Sequence, residues 1–223
     1  MNNAERFQSD MSFRRLYIFG AGAFGREVAW LAEEIWPSQL EIRFVVDHEE
    51  YLCPPVNGIP IILLESEVMD DDSRYIVAVG DPESRRKVAE MFHERDAKAT
   101  TLVHPRVEMS RFVEIEDGAV ICAGNVITTN IMIGQHVHVN LSCTLGHDVI
   151  IEEFSTLSPG VCVSGNVHIG RSVFIGTGAN IINGTEDAPL IIGDGATIAA
   201  GACVIRSVEP GALMAGVPAI RKR

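Results

Sequence analysis

A chain of 223 residues is longer than one mid-sized domain needs and is read as two. Its formal net charge of −12 excludes a broad surface for nucleic acid or anionic membrane, because both partners are themselves negative. Five scattered cysteines, never spaced C-x-x-C, exclude a disulfide framework and a zinc ribbon, and no run reaches the ~20 apolar residues of a membrane span or forms a signal-peptide core.

The chain is therefore expected to be soluble and cytoplasmic, with residues 1–12 a flexible lead-in and no integral membrane contact. Residues 13–100 alternate short apolar runs with helical patterns. Leu16 to Phe19 is a buried-strand candidate, and GAGAFG (Gly20 to Gly25) follows it directly. Val28, Leu31, Ala32 and Ile35 then recur at helical spacing up to Pro37. Phe44 to Val46 makes the next strand, Tyr75 to Val79 another, and Pro82 opens a helix that runs to about Arg95. Alternation of this kind predicts an α/β domain with helices packed on a parallel sheet. A glycine loop between strand and helix can hold a phosphate on backbone amides, so Gly20, Gly22, Ala23 and Phe24 are candidate substrate-binding residues, with Asp47 at the end of the second strand.

From Val103 the period changes to six. An aliphatic residue stands at every sixth position from Val103 through Ile181, and after NGTEDAP the spacing resumes at Ile192, Ile198 and Val204. This hexapeptide repeat predicts an all-β parallel helix over residues 101–223, in which three hexads close a triangular coil and the aliphatic positions point inward. Residues eighteen apart then stack at about one strand spacing, ~4.8 Å, which sets Gly165 beside His147 and puts His138, Thr156 and Phe174 in one column.

With these features in place, the chain resembles the NeuD/PglD family of sugar acetyltransferases, which join a Rossmann-like domain to a left-handed parallel β-helix. The resemblance is carried by GAGAFGREV (Gly20 to Val28), Val46-Asp47, the hexads, LGHDVIIEEFSTLSPGVCVSGNVHIG (Leu145 to Gly170) and AGVPA (Ala215 to Ala219), and it spans nearly the whole chain. It implies transfer of acetyl from acetyl-CoA to a sugar, most naturally the amine of a nucleotide-linked amino sugar, with a sialic-acid-type O-acetyltransferase as the alternative. It also implies a homotrimer with active sites between subunits.

Carried over by position, the resemblance makes His147 the general base and Asp148 the carboxylate that orients it; an imidazole suits proton removal from an amine or hydroxyl at neutral pH. Gly165 matches the position whose backbone N–H faces the acetyl carbonyl. Thr156 stands where other members carry a second histidine, and Phe24 where many nucleotide-sugar users carry one. Gly201, Ala202, Gly216, Val217 and Pro218 resemble the terminal coil and loop that hold the coenzyme, and Asn140 could bind the acceptor. The basic end, Arg221 to Arg223, reads as a solvated tail.

Three other classes each share one feature with this chain. Carbonic anhydrases of the gamma type also use β-helices, and His136, His138 and His147 make a zinc lyase imaginable, although their order does not match that site. A dinucleotide oxidoreductase rests on the glycine loop alone, and a noncatalytic scaffold on the helix alone. No metal is expected, and the repeat half is expected to bind acetyl-CoA without the first half.

Overall fold

The computed structural model describes residues 13–37 and 40–222, so the lead-in expected over residues 1–12 and the final Arg223 lie outside the described residues. Strands β1 (Arg15–Phe19), β2 (Glu41–Val46), β3 (Ile61–Leu63) and β4 (Ser73–Val77) pair in parallel in the order β3-β2-β1-β4. The central strand is covered on both faces, which is why LYIF reads as an unbroken apolar run. Helix α1 (Ala23–Ile35) buries Val28, Leu31, Ala32 and Ile35, the residues its periodicity singles out, but begins before them, directly out of the glycine loop. Helix α2 (Pro82–His93) has proline in its first turn and is capped by Asp81, whose carboxylate accepts the Ser84 N–H at 2.8 Å. Strand β3 is not marked by period: Ile59 to Leu64 is apolar throughout and interrupted by Pro60.

The remainder is a parallel β-helix. Outward positions pair in register every eighteen residues on three faces. The first face carries Leu102, Val120, His138, Thr156 and Phe174; the second Glu108, Val126, Thr144, Cys162 and Asn180; the third Glu114, Met132, Ile150 and His168. The loop 183–189 interrupts the third face, so that Ile169 pairs with Ile192. The aliphatic series that begins at Val103 fills the interior, with Ile115 alone only partly buried. A second inward series stands two residues earlier in each hexad, from Val107 to Ala179, and is fully enclosed. It includes two polar residues that bond internally. Asn125 donates to Cys122 O at 2.7 Å and accepts the Cys143 N–H at 2.7 Å. Ser155 donates to Gly170 O at 2.7 Å and accepts the Val173 N–H at 3.0 Å.

The first face is covered by the α/β domain. Its outward residues Leu102, Val120, His138 and Thr156 are no more than 3% exposed. Val28 and Leu31 of helix α1 share one apolar cluster with Leu102 and Val120, while Phe154 joins Tyr75, Val88 and Phe92 under α2. Beneath α2 the rings of His136 and Phe154 stack at 5.2 Å, and those of Tyr75 and Phe92 at 4.1 Å.

Candidate active site

His147 stands at the edge where the second and third faces meet. The corner there needs a left-handed residue, and Asn130, Asp148 and Asn166 supply it in successive coils, with Asp148 at φ 56°. Asp148 is thereby turned outward beside the histidine. His147 Nδ1 lies 2.8 Å from Asp148 Oδ2, and Asn130 Nδ2 donates to the other carboxylate oxygen at 3.1 Å. The hydrogen bond with His147, and then that from Asn130, hold the Asp148 carboxyl below its ordinary range. A ring that gives its Nδ1 proton to this carboxylate keeps the Nε2 lone pair free to take another. Both side chains are about half exposed.

Gly165 lies one coil on. A Cβ there would come within 2.5 Å of Cε1 and Nε2 of His147, so the imidazole occupies space that only glycine leaves open. Gly165 O accepts the Gly184 N–H at 3.0 Å, whereas its own N–H has no acceptor among the described residues. Gly165 itself is buried under the ring, and an amide without a protein acceptor beside a ring nitrogen is the arrangement that can support an oxyanion. The loop 183–189 springs from this same corner, its end fixed by the Leu190 N–H bond to Asn166 O at 3.0 Å.

A second candidate site lies in the α/β domain. Gly20, Gly22 and Asp47 line one cavity of about 390 Å³ with Phe19, Ala21, Val46, Tyr51 and Cys53. Here the carboxyl ends of β1 and β2 open, next to the point where the sheet order reverses, which is where such sheets take ligands. Gly25 closes the turn from behind: a Cβ would stand 1.9 Å from Gly20 O. Helix α1 has neither a side-chain cap nor an acidic residue in its first turn, so its amides and dipole remain available to an anion. Tyr51 closes the single 3-10 turn Glu49–Tyr51 after β2 and Cys53 lies just beyond it, and neither carries a pattern that marks it in the sequence.

Other sequence candidates need correction. Phe24 points away from this cavity and packs on the His138 ring at 5.1 Å, and Ala23 does not line it either. Thr156 is 3% exposed, and its hydroxyl donates to Gly80 O at 2.9 Å while accepting from Arg85 at 2.8 Å. It is closed to a coenzyme because the α/β domain covers its face. Asn140 donates its amide to Leu157 O at 2.9 Å. Ala202 belongs to the inward series and is fully buried, so it offers a ligand no surface. Gly201, by contrast, is an exposed corner glycine at φ +66°. The loop of Gly216, Val217 and Pro218 is brought next to that coil, since the Cys203 N–H bonds to Gly216 O at 3.0 Å and the Ala219 N–H to Cys203 O at 2.7 Å. Arg221, the first residue of the basic end, is not loose: it pairs with Glu209 and lies in the strand Ile220–Arg221, which pairs with Leu213–Ala215. His136 and His138 are buried beneath the α/β domain, across the coil from His147, so the three histidines do not converge.

The description "PglD N-terminal domain" fits residues 15–92. A GDP-perosamine N-acetyltransferase of Escherichia coli O157:H7 is 32% identical over 208 residues, 91% of this chain and 93% of that protein. WeeI from Acinetobacter baumannii AYE superposes with a TM-score of 0.87 at 30% identity, covering 93% of this chain and 99% of that one. The acetyltransferase domain of PglB from Neisseria gonorrhoeae FA1090, in complex with acetyl coenzyme A, gives 0.84 at 32%, covering 94% and 99%. Likeness of this extent runs through both domains, and the chain therefore belongs to the NeuD/PglD family of acetyl-CoA-dependent sugar acetyltransferases.

Proposed function

We propose that the protein acetylates the amino group of a nucleotide-linked amino sugar, a step in the assembly of a surface polysaccharide or glycan. The observation that carries the mechanism is the His147–Asp148 pair lying on Gly165, which sets an exposed imidazole against a buried backbone amide that has no acceptor among the described residues. In this reading His147 Nε2 takes a proton from the acceptor amine as its nitrogen attacks the thioester carbonyl. The Gly165 N–H steadies the oxyanion, and the tetrahedral intermediate collapses to the amide as the coenzyme sulfur leaves and takes up that proton. The outward column Thr144, Cys162, Asn180 and Cys203 leads from this coil to the Gly201 and Gly216–Pro218 loops, a path suited to the coenzyme's extended arm. The Gly20 loop and the open end of α1 suit the diphosphate of the acceptor.

The two sites belong to different copies in this reading. The α/β domain covers the first face of the β-helix, and His147 stands on the edge opposite that face. A sugar held by the Gly20 loop is thus separated from its own chain's His147 by the body of the coil. Met132 and Ile150 stand exposed and adjacent on the third face beside that edge, with Ile191 beyond His168 in the same column, a surface that suits contact with a second copy. A cyclic homotrimer in the cytoplasm is the assembly we propose. No helix among the described residues is long and apolar enough to cross a membrane.

Thiol release from acetyl-CoA, screened against GDP- and UDP-linked amino sugars, tests the reading. An amide product with one of them is expected. An alkali-labile ester on a hydroxyl acceptor would establish the O-acetyltransferase alternative instead, and light scattering that finds a monomer at micromolar concentration would overturn the shared site.

A further inference from the structure

Arg85, on α2, is completely buried and hydrogen-bonds to no carboxylate among the described residues, Asp81 acting on it only through its charge. Its guanidinium is satisfied by carbonyls and one hydroxyl drawn from both domains. On the α/β side it donates to Val79 O at 2.7 Å and Gly80 O at 3.2 Å. On the β-helix side it donates to His136 O at 2.9 Å, Phe154 O at 2.6 Å, Ser155 O at 3.2 Å and Thr156 Oγ1 at 2.8 Å. Thr156 closes the ring by donating to Gly80 O at 2.9 Å. Burial lowers the guanidinium pKa to about 9, so it stays charged at neutral pH.

A buried charge is a costly way to join two domains, because apolar side chains hold surfaces together without the desolvation. What the planar fork adds is direction: five donors in one plane fix the angle as well as the contact. The turn it holds is next to the nucleotide cavity. The Ala78 N–H bonds to Phe19 O at 2.9 Å, and a Cβ on Gly20 would meet Ala78 O at 3.2 Å. Phe24, four residues along the glycine loop, rests on His138, which pairs directly with Thr156 in the first-face column. The glycine loop is thus pinned to neighbouring positions of one sheet from both of its sides.

We propose that Arg85 is a positioning residue for the acceptor. It sets the place at which the nucleotide cavity presents its sugar to the His147 of a neighbouring copy. The inference rests on the shared-site reading above, and predicts that loosening the clamp leaves both half-sites intact while spoiling their alignment.

The test uses the full-length protein with Arg85→Met, Arg85→Lys and Thr156→Val. Calorimetry with GDP or UDP alone, and with acetyl-CoA, should return wild-type affinities, and light scattering the wild-type assembly. Turnover at saturating acceptor should fall about 10- to 100-fold in Arg85→Met, the scale of a misplacement near 1 Å. Arg85→Lys should recover only part of it, and Thr156→Val, nearly the same shape as threonine, should lose several-fold. Unchanged turnover in all three overturns the proposal. So does loss of nucleotide or coenzyme affinity in step with turnover, which would mean a merely structural role. If Arg85→Met does not fold, Thr156→Val decides by the same two measures. A wild-type protein that binds neither nucleotide and turns over no nucleotide-linked sugar would overturn the functional reading itself, a result visible before any variant is made.

Discussion

His147 combines exposure with constraint: its ring is open to a ligand on one side and held by Asp148 and Gly165 on the others. Replacement by alanine removes no inward side chain, so His147→Ala should fold normally and lose roughly 10²- to 10⁴-fold in turnover; wild-type turnover in steady-state thiol release would refute the assignment. Gly165→Ala tests the neighbour. The new methyl would collide with the far end of a movable side chain, so the ring should swing off the glycine while the coil survives. An unchanged melting temperature with turnover lowered about tenfold or more is expected. Asp148 was legible from its adjacency to His147 in the matched segment. Asn130, which bonds the same carboxylate, was not, because it is eighteen residues away and asparagine is common at turns.

At the scale of elements, the hexad shows how far period carries. One inward series is almost wholly aliphatic and could be read directly. Its companion mixes valine with Ala119, Asn125, Cys143 and Ser155, residues too small or too polar to register as a hydrophobic repeat, yet all are enclosed. The corner column Gly118, His136, Phe154, Ser172 is equally opaque, since only its first member advertises a left-handed turn. The glycine loop was clear in type but not in detail. Gly25→Ala should show this: its methyl would stand 1.9 Å from a backbone oxygen that cannot swing aside. A loss of about 1–3 kcal/mol in urea unfolding, with weakened binding of GDP or UDP, is the expected outcome.

The whole molecule is joined through a face that the repeat alone would leave to solvent. His136 and His138 are buried there near the Arg85 charge. Burial, and then the charge of Arg85, lower His136 to about 4 and His138 well below its ordinary value. Both are therefore neutral in the fold and protonate more readily in the unfolded chain. Stability from this source is complete above about pH 6.5 and is lost as pH falls toward 4, by about 3 kcal/mol for His136 at the limit. Urea midpoints measured from pH 7 to 4 should fall, and His136→Phe, which keeps a ring against Phe154, should flatten the slope. The same docking bears on separability. A chain beginning at Thr101 would bare Leu102, Val120, Cys122 and Leu141, so light scattering should find it associating non-specifically, contrary to a clean division of the halves.

What the sequence determined by itself is what backbone geometry repeats: the strand and helix periods, the six-residue spacing, the glycine loop between strand and helix, and the stacking of His147 on Gly165 that follows from three hexads per coil. These are legible because each depends on residues at a fixed interval along one chain. The tertiary structure alone decided which outward positions remain outward. Thr156 looks available as a polar residue on a sheet face until Arg85, 71 positions earlier, takes its hydroxyl. Phe24 looks like part of a phosphate loop until His138 supplies a ring for it to pack on. Neither pairing has a spacing or composition to betray it, because it arises only when two separately folded patterns bury their surfaces against each other.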